Sequence, residues 1–182
     1  MCIEIEAKLK VESHEETAKK LAELGAEFQA EKFQMDVYFD DAKRTLTDAD
    51  KCLRLRQEKV GESVREFLTY KGAKEQDEFK RRREIEVEVY GGDSAEKLLL
   101  ALGYEKAVVV EKRRRVWRLG DCRVALDELP RLGTFVEIEG PDAARIGAVQ
   151  SSLGLEGLRH IPGSYASLMA EKRDDRCSGK HL

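Results

Sequence analysis

The segment Ile3-Glu4-Ile5-Glu6-Ala7-Lys8-Leu9-Lys10-Val11 alternates strictly between apolar and charged side chains. A period of two residues is typical of a β-strand, because successive side chains of a strand point to opposite faces of the sheet. One face of this strand is apolar, and the other carries two glutamates followed by two lysines. Residues 3–11 therefore predict a strand that packs its apolar face against a core and presents charge on its other face.

A helix signal follows this strand, and the strand–helix pattern recurs twice. Ser13 and Glu16 have the spacing of a capping box, and Leu24-Gly25 has the sequence of a helix end. The two later units have acid-x-acid strands at 84–89 and 135–139, with helix caps expected at Asp93 and Asp142. The sequence thus predicts three units of similar architecture.

Additional strands are expected between these units. They are predicted at 35–40, 52–59, 65–71, 107–119 and 122–128. Roughly eight strands and three or four helices make an α+β fold, largely antiparallel, with the helices packed on one side of the sheet. Residues 1–170 are expected to form a single domain, and 171–182, which lose this periodicity, a flexible C-terminal tail.

The composition excludes several classes of protein. The chain has 182 residues, 38% of them charged, and a formal net charge of -3. A near-neutral balance argues against bulk electrostatic capture of nucleic acid, and no stretch approaches the roughly 20 apolar residues of a membrane span. The four cysteines are widely scattered, without the spacing of a metal site, so we expect reduced thiols in a cytoplasmic protein.

The charges on the polar strand faces are sorted by strand. Residues two apart in a strand point to the same face, so each charged pair converges there. The acidic sets are Glu4/Glu6, Glu84/Glu86/Glu88 and Glu137/Glu139, the basic sets are Arg54/Arg56 and Lys112/Arg114, and Lys71 and Asp127 stand singly. In one interpretation these faces are solvated, and the charges form cross-strand ion pairs worth a few tenths of a kcal/mol each.

A second interpretation explains the sorting by a ligand. If the helices cover the apolar faces of the strands, the charged faces turn inward, toward the lumen of a closed sheet. Clustered arginine and lysine suit phosphate oxygens, and clustered carboxylates suit Mg²⁺ or Mn²⁺, which prefer oxygen ligands. The pattern then favours a polyanion that binds together with divalent cations.

An ordered series of motifs resembles the CYTH superfamily of triphosphate tunnel metalloenzymes. The first motif is Glu4-Ile5-Glu6-Ala7-Lys8, which has the ExExK signature of that family. The others follow in the order of the family: Asp36-Val37-Tyr38-Phe39, Leu53-Arg54-Leu55-Arg56, Leu68-Thr69-Tyr70-Lys71-Gly72, Glu84-Ile85-Glu86-Val87-Glu88, Glu111-Lys112-Arg113-Arg114, Leu126-Asp127-Glu128-Leu129, Leu132 to Glu139, and Ser164-Tyr165. The resemblance covers nearly the whole chain.

The resemblance implies a fold and a set of site residues. The fold is a triphosphate tunnel, a closed eight-stranded antiparallel β-barrel with helices on its outside. The implied metal carboxylates are Glu4, Glu6, Glu84, Glu86, Asp127, Glu137 and Glu139, for one or two Mg²⁺ or Mn²⁺ ions. The implied phosphate-binding residues are Lys8, Arg54, Arg56, Lys71, Lys112 and Arg114. Those expected to act in catalysis are Glu6, Glu137, Lys8 and Lys71.

The family includes class IV (CyaB-type) adenylyl cyclases and triphosphatases, and the resemblance leaves both reactions open. A cyclase converts ATP to cAMP and pyrophosphate by attack of the ribose 3′-hydroxyl on the α-phosphorus. A triphosphatase hydrolyses inorganic, nucleoside or thiamine triphosphate by attack of water. We expect a nucleotide or polyphosphate substrate and name the cyclase first, because the whole-chain similarity is nearer to that branch.

A non-catalytic module that binds polyphosphate or RNA is the remaining alternative. Two basic runs, 80–83 and 112–115, could contact RNA. Strand alternation splits each run between two faces, and no aromatic residues interleave for base stacking. We therefore interpret Arg81, Arg82, Arg113 and Arg115 as solvated surface charge and do not expect nucleic acid as a partner. The sequence carries no signal for an oligomeric state.

Overall fold

Eight strands and five helices make up the chain in a computed structural model, which describes residues 2–75 and 79–178. The strands are β1 (Cys2–Val11), β2 (Glu27–Asp41), β3 (Cys52–Val60), β4 (Ser63–Lys71), β5 (Lys80–Val89), β6 (Tyr104–Leu119), β7 (Cys122–Leu129) and β8 (Gly133–Glu139). The helices are α1 (Glu15–Glu23), α2 (Thr45–Asp48), α3 (Gly92–Ala101), α4 (Ala143–Ser152) and α5 (Tyr165–Ser178).

The strands form a closed antiparallel barrel in the order β1-β5-β4-β3-β2-β6-β7-β8. The first and last strands close the ring, with Lys8 of β1 opposite Glu137 of β8. The longest pairing joins β2 to β6, from Glu27 opposite Arg118 to Asp41 opposite Tyr104. The predicted α+β fold with a closed eight-stranded barrel is confirmed.

The main hydrophobic core lies outside the barrel wall, under α1 and α4. Leu9, Val136 and Ile138 project outward from their strands and are fully buried. Leu21 of α1 and Ile146 of α4 pack against them. The apolar face predicted for the first strand is therefore the outer face, and its charged residues turn into the lumen.

A second core lies under α3 on another part of the wall. Leu99 of α3 packs with Val37, Phe39 and Leu55, which project outward from β2 and β3. Because helices cover the apolar side of both regions, the polar side of the same strands is left to the interior of the barrel.

Strand β2 is much longer than the predicted segment 35–40. Its first half has little buried apolar surface, and Phe28 is 56% exposed. Backbone pairing to β6 holds this half in place, together with outer-face ion pairs such as Arg113 with Glu31. A signal based on apolar periodicity does not detect a strand held in this way.

Two predicted helix caps are wrong and one is confirmed. Helix α1 has His14 as its N-cap residue instead of Ser13. The N-cap residue of α3 is Gly91 instead of Asp93. The carboxylate of Glu66, on β4, accepts a hydrogen bond of 2.6 Å from the Gly92 amide at the start of this helix. Asp142 caps α4 as predicted and accepts a hydrogen bond of 2.8 Å from the Arg145 amide.

The C-terminal segment is helical over much of the predicted tail. Helix α5 continues through residues 171–178, and 179–182 lie outside the described residues. Tyr165 and Met169 of α5 pack with Phe135, Leu129 and Val110 at one end of the barrel. The domain boundary at residue 170 and the flexibility of the tail remain predictions.

Within the described ranges, every helix is too short or too polar to cross a membrane.

Candidate active site

The barrel lumen contains a cavity of about 550 Å³ to which all eight strands contribute side chains. This volume lies in the usual range of small-molecule sites. Most of the side chains that line it are charged. They reach the lumen because the outward positions of the same strands carry the apolar residues that the helices cover.

The structure brings nearly all of the predicted site residues together in this lumen. Those that line it are Glu4, Glu6, Lys8, Arg54, Arg56, Lys71, Glu84, Glu86, Lys112, Arg114, Glu137 and Glu139. Asp127 does not line the cavity, and its side chain is fully buried on the inward face of β7, against Arg114 and Lys112. The arrangement gives these residues a common location, while their individual roles remain predictions.

Acidic and basic residues occupy facing parts of the barrel. The acidic wall consists of three adjacent strands, β5, β1 and β8, and the basic wall of three strands on the other side, β3, β2 and β6. The acidic wall carries Glu84, Glu86, Glu4, Glu6, Glu137 and Glu139, and the basic wall carries Arg54, Arg56, Lys112 and Arg114. A linear polyanion that lay between the two walls would meet mainly positive charge on one side and mainly negative charge on the other.

Like charges crowd the acidic wall. Burial raises the pKa of Glu84, and the negative charges of Glu4 and Glu86 raise it further against the attraction of Lys71. Burial likewise raises the pKa of Glu139, with a contribution from Glu4. These carboxylates repel one another when they are ionised. A cation bound among them would relieve that repulsion.

Lysines bridge parts of this wall. Nζ of Lys71 lies 2.5 Å from a carboxylate oxygen of Glu4 and 3.5 Å from one of Glu84. Nζ of Lys8 lies 3.2 Å from Glu137 and 3.9 Å from Glu6. These two lysines contact the carboxylates directly and line the lumen beside them.

The basic wall is held rigid by a buried carboxylate. Arg56 donates two hydrogen bonds to Asp36, of 2.6 and 2.7 Å, and Nη1 of Arg54 lies 3.8 Å from the same group. Although burial favours the neutral form of Asp36, these two guanidinium groups lower its pKa and keep it ionised. Nε of Arg54 is buried and has no hydrogen-bond partner among the described residues.

Lys112 is the most perturbed cation of this wall. It is almost fully buried, and burial, with the positive charge of Arg114, lowers its pKa to about 7. Nζ of Lys112 lies 3.5 Å from Asp127, which offsets the shift only in part. A phosphate group in the lumen would favour the charged form of this lysine.

Asp127 holds Arg114 of the basic wall in place. Arg114 donates two hydrogen bonds to its carboxylate, of 2.6 and 2.5 Å, and the hydroxyl of Tyr165 donates a third of 2.9 Å. Arg114 also donates to Glu137 on the acidic wall. Asp127 is one of the predicted metal carboxylates, whereas the structure surrounds it with Arg114, Lys112 and Tyr165.

Arg82 lines the lumen, although the sequence analysis interprets it as solvated surface charge. It is 5% exposed, and it donates hydrogen bonds of 2.9 and 2.6 Å to the carbonyl and the carboxylate of Asp50. Its Nε has no partner among the described residues. The signal was present in the sequence, because Arg82 precedes Glu84 by two residues and therefore shares its face.

Other residues of the lumen lie outside the predicted site. Gln34, Glu58 and Phe67 face the cavity from β2, β3 and β4. Tyr165 reaches it from α5, with Nζ of Lys8 positioned 4.2 Å from the centre of its ring. Tyr165 belongs to the last motif of the family resemblance, Ser164-Tyr165, but it is not among the predicted site residues.

The donor set of the acidic wall suits a hard divalent cation. Its ligands are carboxylate oxygens, which Mg²⁺ and Mn²⁺ prefer, and their mutual repulsion leaves negative charge to be neutralised. In the described residues no three acidic, histidine or cysteine side chains already stand close enough to form a metal site. The carboxylates point instead at lysine and arginine partners such as Lys71 and Arg123.

Comparison with known proteins gives a family match over most of the chain. The family model described as "CYTH domain" matches residues 2–163. A protein of Methanocaldococcus jannaschii named "putative adenylate cyclase" is 32% identical over 137 residues, which cover 75% of this chain and 76% of that protein.

Solved structures share the barrel. The PH1819 protein of Pyrococcus horikoshii superimposes with a TM-score of 0.82 and 30% identity, over 93% of this chain and 99% of that one. A structure from Hippeastrum, described as a "putative adenylyl cyclase" with a dominant triphosphatase activity, has a TM-score of 0.70 and 20% identity, over 98% of this chain and 97% of that one.

Proposed function

The chain belongs to the CYTH domain family, and we propose that it is a divalent-metal-dependent adenylyl cyclase that converts ATP to cAMP and pyrophosphate. The observation that carries the proposal is the division of the lumen into an acidic and a basic wall. The name of the Methanocaldococcus relative supports the choice of reaction.

The basic wall binds the triphosphate. Arg54 and Arg56 present guanidinium groups that are held by Asp36, so their donors are oriented before the substrate arrives. Arg114 is oriented in the same way by Asp127. Fixed guanidinium groups bind phosphate oxygens in defined directions, which lowers the entropic cost of positioning the reacting phosphorus.

The acidic wall would hold the cation. Its candidate ligands are Glu4, Glu6, Glu84, Glu86, Glu137 and Glu139. When bound, Mg²⁺ or Mn²⁺ would neutralise phosphate charge and polarise the phosphorus–oxygen bonds. Because Glu137 is shared with Arg114 and Lys8, it links the cation side of the lumen to the phosphate side.

The reaction needs one phosphorus held in line with its nucleophile. In the cyclase the ribose 3′-oxygen bonds to the α-phosphorus, the bond to the pyrophosphate oxygen breaks, and the hydroxyl proton is released. Lys8 and Lys71 lie against the acidic wall, where they can contact the phosphate oxygens on which negative charge builds up. Positioning and charge neutralisation then supply most of the rate.

A triphosphatase is the second candidate. Charged side chains make up most of the lumen, and they can bind a bare phosphate chain without a base or ribose. The Hippeastrum protein, which shares the fold, is described as having a dominant triphosphatase activity.

The products distinguish the two reactions. The protein is incubated with Mn²⁺ and ATP, tripolyphosphate or thiamine triphosphate, and the products are separated by chromatography. We expect cAMP and pyrophosphate from ATP, and loss of both when EDTA is added. Orthophosphate from tripolyphosphate, without cAMP from ATP, would transfer the assignment to the hydrolase. Metal-dependent binding without turnover of any triphosphate would indicate a polyphosphate-sensing module.

A further inference from the structure

Apolar side chains close one end of the lumen. Val110, Leu129 and Phe135 each lie two residues from an inward-facing residue of the same strand, so they also point into the barrel. Tyr165 and Met169 of α5 pack against them, and all five side chains are buried. These five residues form the plug. The barrel is therefore closed at this end, and its lumen has the shape of a cup.

The chain that leads into α5 fastens the plug to the barrel wall. Nζ of Lys8 donates a hydrogen bond of 3.1 Å to the Gly163 carbonyl. The Ile161 amide donates one of 2.8 Å to the Lys8 carbonyl. The Tyr165 hydroxyl donates one of 2.9 Å to Asp127. Bonds to both β1 and β7 thus hold the plug across the barrel end.

The exposure of the cationic side chains shows where the lumen opens. Nζ of Lys8 and Nζ of Lys112 lie 4.2 and 4.8 Å from the centre of the Tyr165 ring, and both side chains are 3% exposed. Arg65 and Arg123, which also line the lumen, are 55% and 52% exposed. A ligand therefore enters past these two arginines and can advance until it meets the plug.

Lys112, beside the plug, is held at a distance from its carboxylate partner. Arg114 and Tyr165 take the short hydrogen bonds of the Asp127 carboxylate, of 2.5 to 2.9 Å. Nζ of Lys112 is left 3.5 Å from the same carboxylate. An anion that reached the closed end would give Lys112 a closer partner, and Coulomb attraction is strong where water is excluded.

The ends of a phosphate chain decide how it can enter a closed lumen. A free terminal phosphoryl group carries about 1.5–2 negative charges at pH 7, as a phosphomonoester does, and it requires no room beyond its own oxygens. A phosphoryl group that is esterified on both sides carries a single negative charge and has a substituent beyond it. Buried cations such as Lys8 and Lys112 attract the higher charge more strongly. The closed end therefore favours a free terminus.

We infer that the lumen takes a phosphate chain by its free terminal phosphoryl group, which comes to rest beside Ser164 and Tyr165, and that it excludes chains esterified at both ends. This inference rests on the proposed function and deepens it, since the same lumen would bind the triphosphate of ATP. The α-phosphorus of ATP would then be the third phosphorus from the plug. A chain with a substituent on each end could reach the same depth only by displacing the plug.

Three ligands that differ in their number of free ends test the inference. Tripolyphosphate has two free ends, α,β-methylene ATP has one, and diadenosine tetraphosphate has none, although its four phosphates give it a charge close to that of ATP. Their affinities for the wild type are measured by calorimetry with Mn²⁺. We expect the first two to bind. Diadenosine tetraphosphate should bind at least about tenfold more weakly than the ATP analogue, because it cannot bring a terminal phosphoryl group to the buried cations.

Ser164 provides a matched pair of variants at the closed end. It lines the lumen next to Tyr165, and its Oγ accepts a hydrogen bond of 3.1 Å from the Ser167 amide at the start of α5. Aspartate and asparagine both serve in such a helix cap, so Ser164→Asp and Ser164→Asn differ mainly in charge. We expect tripolyphosphate to bind at least about tenfold more weakly to Ser164→Asp than to Ser164→Asn, because the added carboxylate repels the terminal phosphoryl group.

The outcomes separate this inference from the proposed function. Equal affinity of the wild type for diadenosine tetraphosphate and the ATP analogue, with tripolyphosphate still bound, would overturn the requirement for a free end and leave the phosphate site standing. Equal affinity of the two Ser164 variants for tripolyphosphate would overturn the placement of the terminal group beside the plug. Failure of the wild type to bind any of the three ligands would overturn the proposed function as well. The ligand series uses the wild type alone, so it decides the requirement for a free end even if a variant does not fold.

Discussion

The hydroxyl of Tyr165, on the C-terminal helix, donates a hydrogen bond of 2.9 Å to Oδ2 of Asp127 on β7. The same carboxylate orients Arg114, which faces the lumen. Burial raises the pKa of Tyr165, and the negative charges of Glu137 and Asp127 add to that shift, so the hydroxyl keeps its proton and remains a donor. The helix outside the barrel is thereby connected to an arginine inside it that we propose to bind phosphate.

The first prediction concerns this connection. Tyr165→Phe removes one hydrogen bond to a buried carboxylate, and we expect a loss of about 1.5–3 kcal/mol in the free energy of unfolding. For a chain of this size each kcal/mol lowers the melting temperature by about 2–4 °C. Tyr90→Phe, at a tyrosine that is 93% exposed, should leave the melting temperature unchanged. Equal effects of the two changes, measured by calorimetry, would contradict the structural role of the bond.

The second prediction concerns Arg82. Arg82→Ala removes a buried guanidinium from the lining of the lumen, and its Nε has no partner among the described residues. We expect tripolyphosphate affinity, measured by calorimetry, to fall by about ten- to hundredfold, the value of a hydrogen bond to a charged group. Arg83→Ala, which changes the next residue on the exposed outer face, should bind as the wild type does. An unchanged tripolyphosphate affinity in Arg82→Ala would show that Arg82 does not contribute to phosphate binding.

The third prediction concerns the cation. Glu6→Gln removes one carboxylate charge from the acidic wall, and we expect the Mn²⁺ concentration needed for half-maximal activity to rise by at least about tenfold. The melting temperature should not fall, because the substitution also removes the repulsion between Glu6 and Glu139. Glu31→Gln, at the outer-face partner of Arg113, is the matched control. An unchanged Mn²⁺ requirement in Glu6→Gln would remove Glu6 from the metal set.

The fourth prediction concerns pH and His14. Burial lowers the pKa of His14, against the hydrogen bond of 3.0 Å between its Nε2 and the Phe135 carbonyl. A proton therefore binds more tightly to the unfolded chain than to the folded one. The contribution of His14 to the free energy of unfolding should be complete above pH about 6.5, the ordinary pKa of histidine, and should be lost as the pH falls toward the lowered folded-state value.

Denaturant unfolding between pH 7.5 and 5 measures this contribution. In His14→Gln the free energy of unfolding should depend less steeply on pH across that window than in the wild type. Identical slopes for the two proteins would show that His14 titrates alike in the folded and unfolded states.

Much of the lumen could be predicted from strand alternation alone. Arg113 and Arg114 illustrate this, because adjacent residues of a strand point to opposite faces. Arg113 forms an exposed ion pair with Glu31, and Arg114 forms a buried ion pair with Asp127. The same rule would have placed Arg82 in the lumen. Read as one basic run, 80–83 hides this signal, which lies in the two-residue spacing between Arg82 and Glu84.

Other features could not be predicted because their causes lie far apart in the chain. Helix α5 is anchored at the barrel end by Phe135 and Val110, and no local pattern near Tyr165 indicates those contacts. The start of α3 depends on Glu66, a residue of β4 that accepts a hydrogen bond from the Gly92 amide.

The pairing of β1 with β8 sets a condition on how the protein is made. The ring closes only when residues near the start of the chain meet Phe135, Val136 and Glu137. During synthesis, β1 cannot pair with β8 until β8 has left the ribosome. Contacts of such long sequence separation form slowly. The lumen cavity, with its opposed charges, is therefore a late product of folding. A nascent chain that ends before β8 has no enclosed site to offer.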